Sequence, residues 1–279
     1  MEPTSSIRMI NLGCGHRFHP EWVNVDIAPS DLSVLRCDLS CSLPFADASF
    51  DVVYHSNVLE HIRPGQVRTF IGECYRILKP GGVLRVAVPD LEQICRLYLQ
   101  KLEGAVANEP NAAAEYDWIM VELLDQCVRE RSGGEMLNYL RRQPLAAGDF
   151  VIKRIGNEGR DMLSQIQSEA KASTIRSSHF SVRARLRTIR LWLAERLLGR
   201  ESMCALQIGQ FRMAGEVHQW MYDRYSLARL LTSAGFAAPQ LASPGTSGIH
   251  GWDQFYLEAA PDGTVHKPDS LVMEFVKPL

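Results

Sequence analysis

Residues 9–15 read Met-Ile-Asn-Leu-Gly-Cys-Gly, and Trp-Val-Asn-Val-Asp follows at 22–26. The first segment predicts a short strand that enters a two-glycine turn, and the second predicts a strand that ends on Asp26. Glycine lets such a turn adopt backbone angles closed to other residues and lets a ligand approach the main chain closely. A carboxylate at a strand end can accept hydrogen bonds from the two neighbouring hydroxyls of a ribose. These features predict a nucleoside-containing ligand at the carboxyl edge of a parallel sheet.

The glycine turn does not match the motifs that bind phosphates. A dinucleotide fingerprint needs G-x-G-x-x-G at the start of a helix, so that a pyrophosphate meets the helix N-terminus. Here Phe18 occupies the third glycine position and Pro20 follows it. The chain also contains no G-x-x-x-x-G-K-[ST] loop.

Composition indicates an ordinary globular protein. The chain has 279 residues, of which 46% are hydrophobic, and a formal net charge of −2, which gives no general attraction to nucleic acid. Residues 1–6 lack the pattern of a signal peptide, and no run approaches the roughly 18 apolar residues of a spanning helix. The seven cysteines are scattered and never spaced C-x-x-C. We therefore expect a cytoplasmic protein with reduced thiols and no metal site.

Strand signals and helical signals alternate in the first third of the chain and return near its end, which predicts an α/β fold with a mostly parallel sheet. Between them the periodicity is helical throughout. We expect a core formed by residues 1–90 and 218–279, and a helical insertion over 91–217 that is too long for a loop. Strands are predicted near 7–12, 22–26, 34–37, 50–55, 82–88, 238–242, 253–259 and 270–276, and helices near 67–78, 91–102, 112–131, 150–171, 182–198 and 224–235.

Five runs in the same order resemble the class I S-adenosylmethionine-dependent methyltransferases, in particular the subgroup of the ubiquinone and menaquinone pathways. They are Leu-Gly-Cys-Gly at 12–15, Val-Asn-Val-Asp at 23–26, Asp-Leu at 38–39, Ser-Asn-Val-Leu-Glu-His-Ile at 56–62 and Glu-Cys-Tyr-Arg-Ile-Leu-Lys-Pro-Gly-Gly at 73–82. The resemblance implies S-adenosylmethionine as cofactor and a Rossmann-like, doubly wound sheet of seven strands. A weaker likeness to methyltransferases of bacterial surface-polysaccharide synthesis lies at 122–136 and 267–278.

The resemblance also implies where the methionine half of the cofactor binds. The main chain of Gly13, Cys14 and Gly15 would pass beneath it, and Asn57 would offer its main-chain carbonyl to the amino group. We add Asn11, in the strand before the turn, to this set. From the residues alone, the Cys14 side chain is a small group packed behind the turn rather than a nucleophile.

The adenosine half is assigned in the same way. The resemblance implies that Asp26 holds the ribose hydroxyls and that Ile27 packs on the adenine. Asp38 would accept from the adenine amino group, and the Leu39 amide would face a ring nitrogen. Either carboxylate could instead be a polar strand end.

Two departures from the family pattern affect the expected site. Only about six residues separate Gly15 from the second strand, so the usual first helix is shortened or absent. We also expect no cover from the helices that often precede the first strand in this family. We expect the insertion at 91–217 to serve as the lid and to line the acceptor pocket.

Methyl transfer to a hydroxyl needs a group that removes its proton. We favour His61 and His218, since both adjoin family-like segments near the carboxyl edge of the sheet. His218 precedes Trp220 and Tyr222, and aromatic rings beside a polar base suit a sugar or a flat ring. A packing seam between helix and sheet is the alternative. Other candidates for the base are His16, His19, His55, His179, His250 and Asp90.

The absence of two motifs argues against two classes of methyl acceptor. No [ND]-P-P-[YFW] follows the fourth strand, which argues against nucleobase amino groups, and no clustered carboxylates suggest a metal-dependent catechol enzyme. The weaker likeness to methyltransferases of surface-polysaccharide synthesis implies O-methylation of a sugar or glycan intermediate. A secondary metabolite or quinone-type small molecule, methylated on N or O, is the second hypothesis, and an inactive cofactor-binding or regulatory module is the third.

A basic amphipathic helix is predicted at 182–198. One of its faces is apolar, and residues 176–200 carry only one acidic residue, Glu195. Such a helix can contact an anionic membrane surface or a phosphate-bearing substrate, or can simply expose solvated arginines. The arginines of this stretch are Arg176, Arg183, Arg185, Arg187, Arg190, Arg196 and Arg200.

Overall fold

The structure, a computed structural model, describes residues 7–172, 196–197 and 199–279. Its sheet has seven strands in the order β3-β2-β1-β4-β5-β7-β6. Neighbours among β1–β5 pair in parallel, whereas β7 runs antiparallel to both β5 and β6. This topology confirms the doubly wound, mostly parallel fold. The strands are β1 (Met9–Leu12), β2 (Val23–Asp26), β3 (Leu35–Arg36), β4 (Phe50–Ser56), β5 (Leu78–Pro89), β6 (Ala237–Ala242) and β7 (Ser270–Val276).

Among the described residues, five helices lie between the fifth strand and the last helix, in the region where the sequence predicts an insertion. Most of the predicted 182–198 helix lies outside the described residues. The helices are α1 (Pro64–Ile77), α2 (Leu91–Val106), α3 (Ala112–Val128), α4 (Gly134–Leu140), α5 (Gly148–Ala172), α6 (Arg200–Arg212) and α7 (Arg224–Ser233). Two single 3₁₀ turns cover Leu59–His61 and Trp252–Gln254. No helix among the described residues is long and apolar enough to cross a membrane.

Helix α1 shows how an apolar stripe fixes an element against the sheet. It begins with a proline, whose fixed φ suits the first helical turn. Its buried residues recur at helical spacing, so one face of the helix packs into the main core with β4 and β5. They are Val67, Phe70, Ile71, Cys74 and Ile77.

The predicted strand at 253–259 is wrong. This segment holds a 3₁₀ turn and a single isolated bridge between Ala259 and Val265. Its apolar residues are explained by packing, because Phe255 and Leu257 are buried against Trp22 in a small cluster on one face of the sheet. The rings of Phe255 and Trp22 lie 5.3 Å apart at their centroids.

This packing also replaces a missing helix. Residues 13–22, all of them described, form turns without a helix between β1 and β2. The sheet face there is covered from the other end of the chain by residues 249–257. Buried Arg85 holds that cover in place, since it pairs with Glu258 at 2.5 Å and lies 4.2 Å from the ring centroid of Trp252.

The Glu73 carboxylate provides a test of the tertiary contacts around α1. It accepts hydrogen bonds from the Leu43 amide (2.6 Å), the Ser42 hydroxyl (2.9 Å) and the Arg76 guanidinium (2.7 Å). These contacts, the Arg76 bonds above all, lower the pKa of Glu73 to about 2. The pKa of this carboxyl is thus lower in the folded state than in the unfolded state, so the ionised carboxyl stabilises the fold at any pH above its pKa in the unfolded state. This stabilisation is lost as the pH falls toward the pKa in the folded state.

We expect Glu73→Gln to reduce the free energy of unfolding by about 2 kcal/mol near pH 7. The difference from wild type should shrink on lowering the pH to about 3, because the wild-type carboxyl then loses its advantage. Urea unfolding at the two pH values measures both. The control Glu103→Gln, at an exposed position on α2, should change little at either pH. An equal loss at both pH values would contradict the assigned role.

Candidate active site

The glycine turn lies at the carboxyl edge of the sheet, where β1, β2, β4 and β5 end. Gly13 and Gly15 have φ of 70° and 56°, which side chains rarely adopt. A Cβ at Gly13 would collide with Val58, whereas Gly15 faces open space. The Gly13 amide donates to the Val25 carbonyl at 2.7 Å. The turn is therefore held against β2 with its outer side free for a ligand.

Asp26, the last residue of β2, fixes the turn from the other side. One carboxylate oxygen accepts the Gly15 amide and the other accepts the Ala28 amide, both at 2.8 Å. Each oxygen keeps a further lone pair for a ligand. The adjacent Ile27 is 58% exposed, so an apolar surface lies open directly beside an oriented carboxylate.

Asp38 and Leu39 follow β3. One Asp38 oxygen accepts from the Ser40 hydroxyl (2.7 Å) and amide (2.9 Å), and these bonds lower the pKa of Asp38. The Leu39 side chain is half-buried against the main core. Both residues are thus held by their own loop at the same sheet edge.

A cavity of about 310 Å³ extends from the glycine turn between β1 and β4. Its lining includes five of the nine residues predicted to bind the cofactor, namely Asn11, Gly13, Cys14, Gly15 and Asn57. The other four, Asp26, Ile27, Asp38 and Leu39, are not part of its lining. We name this space the turn cavity.

Two residues of the turn cavity have distinctive local chemistry. Asn57 directly follows β4 with φ of 52°, a region that asparagine tolerates, and its amide donates to the Ala87 carbonyl at 2.9 Å. Burial, aided by the charge of Asp26, raises the pKa of the Cys14 thiol to about 11. The thiol therefore stays protonated near neutral pH, as expected of a packing group.

A second cavity, of about 280 Å³, adjoins the first and shares Asn57, Glu158 and Lys267 with it. We name it the histidine cavity. Helices α3, α4 and α5 of the insertion line one side, and the sheet edge lines the other. Its residues are Asn57, Glu60, His61, Pro89, Gln126, Met136, Leu140, Ile155, Glu158, Gly159, Met162, His218, Lys267 and Asp269.

His61 and His218, distant in sequence, meet in this cavity. Their ring centroids are 4.7 Å apart, with the planes nearly perpendicular. His61 belongs to the 3₁₀ turn after β4, and His218 lies in the segment that precedes α7. The His218 amide donates to the Gln126 carbonyl on α3 at 2.9 Å, which ties this segment to the insertion.

Burial sets the ionisation of both histidines. It lowers the pKa of His61 to about 4 and that of His218 to about 3, and the positive charges of Lys267 and Arg129 act in the same direction. Both imidazoles are therefore neutral near pH 7 and carry an electron pair available to a proton or a cation.

Glu60 stands beside this pair. It is fully buried, and neither carboxylate oxygen accepts a hydrogen bond. Its Oε1 lies 4.0 Å from His61 Nε2. Burial raises the pKa of Glu60 to about 7, although Lys267 favours the ionised form.

The remaining candidates for the base lie elsewhere or serve other contacts. His16 lines the turn cavity, and Asp90 caps α2 by accepting the Gln93 amide at 3.0 Å. His19 packs on Phe255 at 5.2 Å between centroids. Neither His55, which is buried beside Phe70, nor the exposed His250 lines either cavity. His179 lies outside the described residues.

The expected aromatic surroundings of His218 are not observed. Trp220 is 55% exposed and lines a separate surface groove together with Tyr222 and Arg229.

Several polar residues of the two cavities were missed from the sequence, among them Glu158, Lys267 and Asp269. Glu158 on α5 pairs with Lys267 at 3.0 Å and with Arg17 at 3.5 Å, so this charged group lies where the cavities meet. Asp269 is held beside β5 because its carbonyl accepts the Asp90 amide at 2.9 Å. A signal was available for Lys267 and Asp269, since an antiparallel β7 must start at the carboxyl edge of β5.

Comparison with known proteins gives consistent partial matches. Residues 11–86 match the family model described as a methyltransferase domain. A probable S-adenosylmethionine-dependent methyltransferase of Mycolicibacterium smegmatis is 46% identical over 48 residues, 17% of this chain and 18% of the relative. An uncharacterized methyltransferase of Synechocystis is 38% identical over 55 residues, 20% of this chain and 25% of the relative. The matched part thus spans a quarter or less of either relative.

Among solved structures, the CurJ carbon methyltransferase is 12% identical with a TM-score of 0.39, over all of this chain and 50% of that one. That score is too low to decide the fold, which is established here by the strand order. The matched family segment contains the glycine turn, Asp26, Asp38 and Asn57. Residues 11–86 of this chain are therefore similar to a methyltransferase domain.

Proposed function

We propose that the chain is an S-adenosylmethionine-dependent methyltransferase that O-methylates a sugar or glycan intermediate. The observation that carries the proposal is the junction of the two cavities. One cavity contains the glycine turn of the matched family segment, the other contains the buried histidine pair, and Asn57 lines both. A cofactor in the first and an acceptor in the second would meet at this junction.

The residues of the turn cavity fit the methionine half of the cofactor. Arg17 and Lys267 offer cations for its carboxylate, and Glu158 offers an anion for its ammonium group. The open side of Gly15 leaves room for a close approach to the main chain. When bound, S-adenosylmethionine supplies an electrophilic methyl carbon on a sulfonium centre, and the chain's main task is alignment.

The adenosine half fits the residues outside the cavity lining. Asp26 is oriented by two amides and keeps lone pairs for the ribose hydroxyls. The exposed face of Ile27 suits the adenine ring, and Asp38 remains ionised near neutral pH as an acceptor for its amino group. A ligand over these residues would cover the exposed apolar surface.

The histidine pair would activate the acceptor. A neutral imidazole can accept a hydroxyl proton, and general-base assistance of this kind contributes about 10²–10⁴-fold to a rate. An imidazole electron pair can also bind a cation that polarises the hydroxyl. In both cases His61 and His218 act in a cavity closed on one side by α3 to α5, which limits the access of water.

The lining of the histidine cavity favours a polyhydroxyl acceptor. Carboxylates, amides and an ammonium group from Gln126, Glu158, Lys267 and Asp269 can bind several hydroxyls at once. A secondary metabolite or quinone-type molecule is the second candidate. The observation that favours it is the apolar wall formed by Met136, Leu140, Ile155 and Met162.

We place this reaction in the cytoplasm, in keeping with the seven free cysteines. The partner is then a small-molecule or glycan acceptor and not nucleic acid, since the net charge of −2 gives no general attraction to it. Membrane contact through residues 182–198 stays a prediction. Salt-sensitive co-sedimentation with anionic vesicles tests it.

The proposed cofactor site predicts that substitution of Asp26, but not of a nearby exposed aspartate, weakens the binding of S-adenosylhomocysteine. We expect the chain to bind S-adenosylhomocysteine one-to-one, and Asp26→Asn to weaken binding about 10–100-fold, because hydrogen bonds to a charged acceptor are worth about 1.5–3 kcal/mol. Isothermal titration measures both. The exposed neighbour Asp31 provides the control Asp31→Asn, which should leave affinity within about twofold. Equal affinity of wild type and Asp26→Asn would contradict the assignment.

If the histidine pair acts on the acceptor, its variants should lose turnover and keep their affinity for the cofactor product. A screen of sugars and nucleotide-linked glycans for release of S-adenosylhomocysteine identifies the acceptor. With that acceptor, we expect His61→Ala and His218→Ala each to lower kcat about 100-fold or more. Their affinity for S-adenosylhomocysteine should stay near that of wild type. His250→Ala is the matched control. Unchanged turnover in both variants would exclude the histidine pair, and cofactor binding without turnover across the panel would favour the inactive module.

A further inference from the structure

Three potential metal ligands cluster in the histidine cavity. Glu60, His61 and His218 each present one ligand atom, and these atoms lie within 4.8 Å of one another. Two of the residues are adjacent in the 3₁₀ turn after β4, and the third comes from the segment before α7. The cluster therefore joins two parts of the chain at the base of one cavity.

The Glu60 carboxylate lacks a partner that its burial requires. It is 0% exposed, and neither oxygen accepts a hydrogen bond. An ionised carboxylate removed from water is costly unless a cation or several donors compensate it. His61 Nδ1 is likewise buried without a hydrogen bond. Two residues of the same cluster thus leave polar atoms unsatisfied.

The neighbouring cations are already paired with other acids. Lys267 lies 3.0 Å from Glu158. Arg129 lies 2.6 Å from Asp125 and 3.0 Å from Glu216. Both cations thus form their ion pairs with other carboxylates, and Lys267 acts on Glu60 only as a more distant charge that favours its ionised form.

We propose that Glu60, His61 and His218 bind a divalent metal ion such as Zn²⁺. Two imidazoles and one carboxylate form the ligand set of catalytic zinc sites, which keep a further position open. Mg²⁺ and Ca²⁺ prefer oxygen ligands and fit this set poorly. Cysteine spacing predicts no metal site, but it carries no information on histidine and carboxylate ligands that come from two distant segments of the chain.

The main chain already holds the three ligands in place. The Gln219 amide donates to the Glu60 carbonyl at 2.6 Å, directly linking the two ligand-bearing segments. Ligands at about 2.1 Å from a tetrahedral ion are roughly 3.4 Å from one another. The three ligand atoms, which lie within 4.8 Å of one another, would have to move closer together on binding an ion.

The role of the ion rests on the proposed function. Its open position would face the histidine cavity and take the acceptor hydroxyl oxygen, whose pKa a divalent ion lowers. The hydroxyl proton leaves to solvent, and the oxygen then forms the C–O bond to the methyl carbon. The C–S bond breaks, and its electron pair stays on sulfur. The histidine pair would thus act on the acceptor through the ion.

Cobalt titration of the untagged, metal-stripped chain tests this inference. We expect one Co²⁺ per chain with a Kd of about 1 µM or tighter, a visible absorption band of low-symmetry Co²⁺, and loss of that band when Zn²⁺ is added. Glu60→Gln and His218→Ala should each weaken binding at least about tenfold. Glu21→Gln and His250→Ala, both at exposed positions, should bind like wild type.

Two results would overturn the metal site. One is a wild-type chain that gives no such band, and the other is binding that Glu60→Gln and His218→Ala leave unchanged. Titration of the same samples with S-adenosylhomocysteine separates the two proposals. Cofactor binding without Co²⁺ binding rejects the metal site and leaves the methyltransferase proposal standing. Co²⁺ binding without cofactor binding does the reverse.

Discussion

The carbonyl oxygen of Glu60 makes the contact on which the acceptor side depends. It accepts the amides of Gln219 (2.6 Å) and Trp220 (3.3 Å), which joins the turn after β4 to the segment before α7. The next bond, from the His218 amide to the Gln126 carbonyl, extends the link to α3. The sheet edge, the last helix and the insertion are therefore connected within three residues, and the two histidines meet because of that connection.

The position of the residues proposed to bind the cofactor was largely predictable from the sequence, because these residues are local to strand ends. The glycine turn, Asp26, Asp38 and Asn57 each lie at or just after the end of a strand, and the carboxyl ends of parallel strands lie at one edge. The junction of the cavities was not predictable in this way. Glu158 reaches it because Gly156 has φ of 59° and allows α5 to approach the Val265 and His266 carbonyls, where a Cβ would clash. Such a contact is tertiary and leaves no periodic signal.

Charge is distributed differently in the two cavities, and the proposed chemistry follows from the difference. The junction carries Arg17, Glu158 and Lys267 as a linked set of ion pairs, suited to a zwitterionic amino acid. The histidine cavity holds two imidazoles that burial keeps neutral and one carboxylate without a partner. Two neutral imidazoles, each with an electron pair, beside a buried carboxylate are suited to hold a cation or a proton.

A crystal structure of the chain with S-adenosylhomocysteine tests the central claim most directly. We predict that the ribose hydroxyls bind the Asp26 carboxylate, that the amino acid end enters the turn cavity, and that the sulfur faces the histidine cavity beside Asn57. A product molecule bound away from the glycine turn, or with its sulfur separated from the histidine cavity by the insertion, would contradict the account.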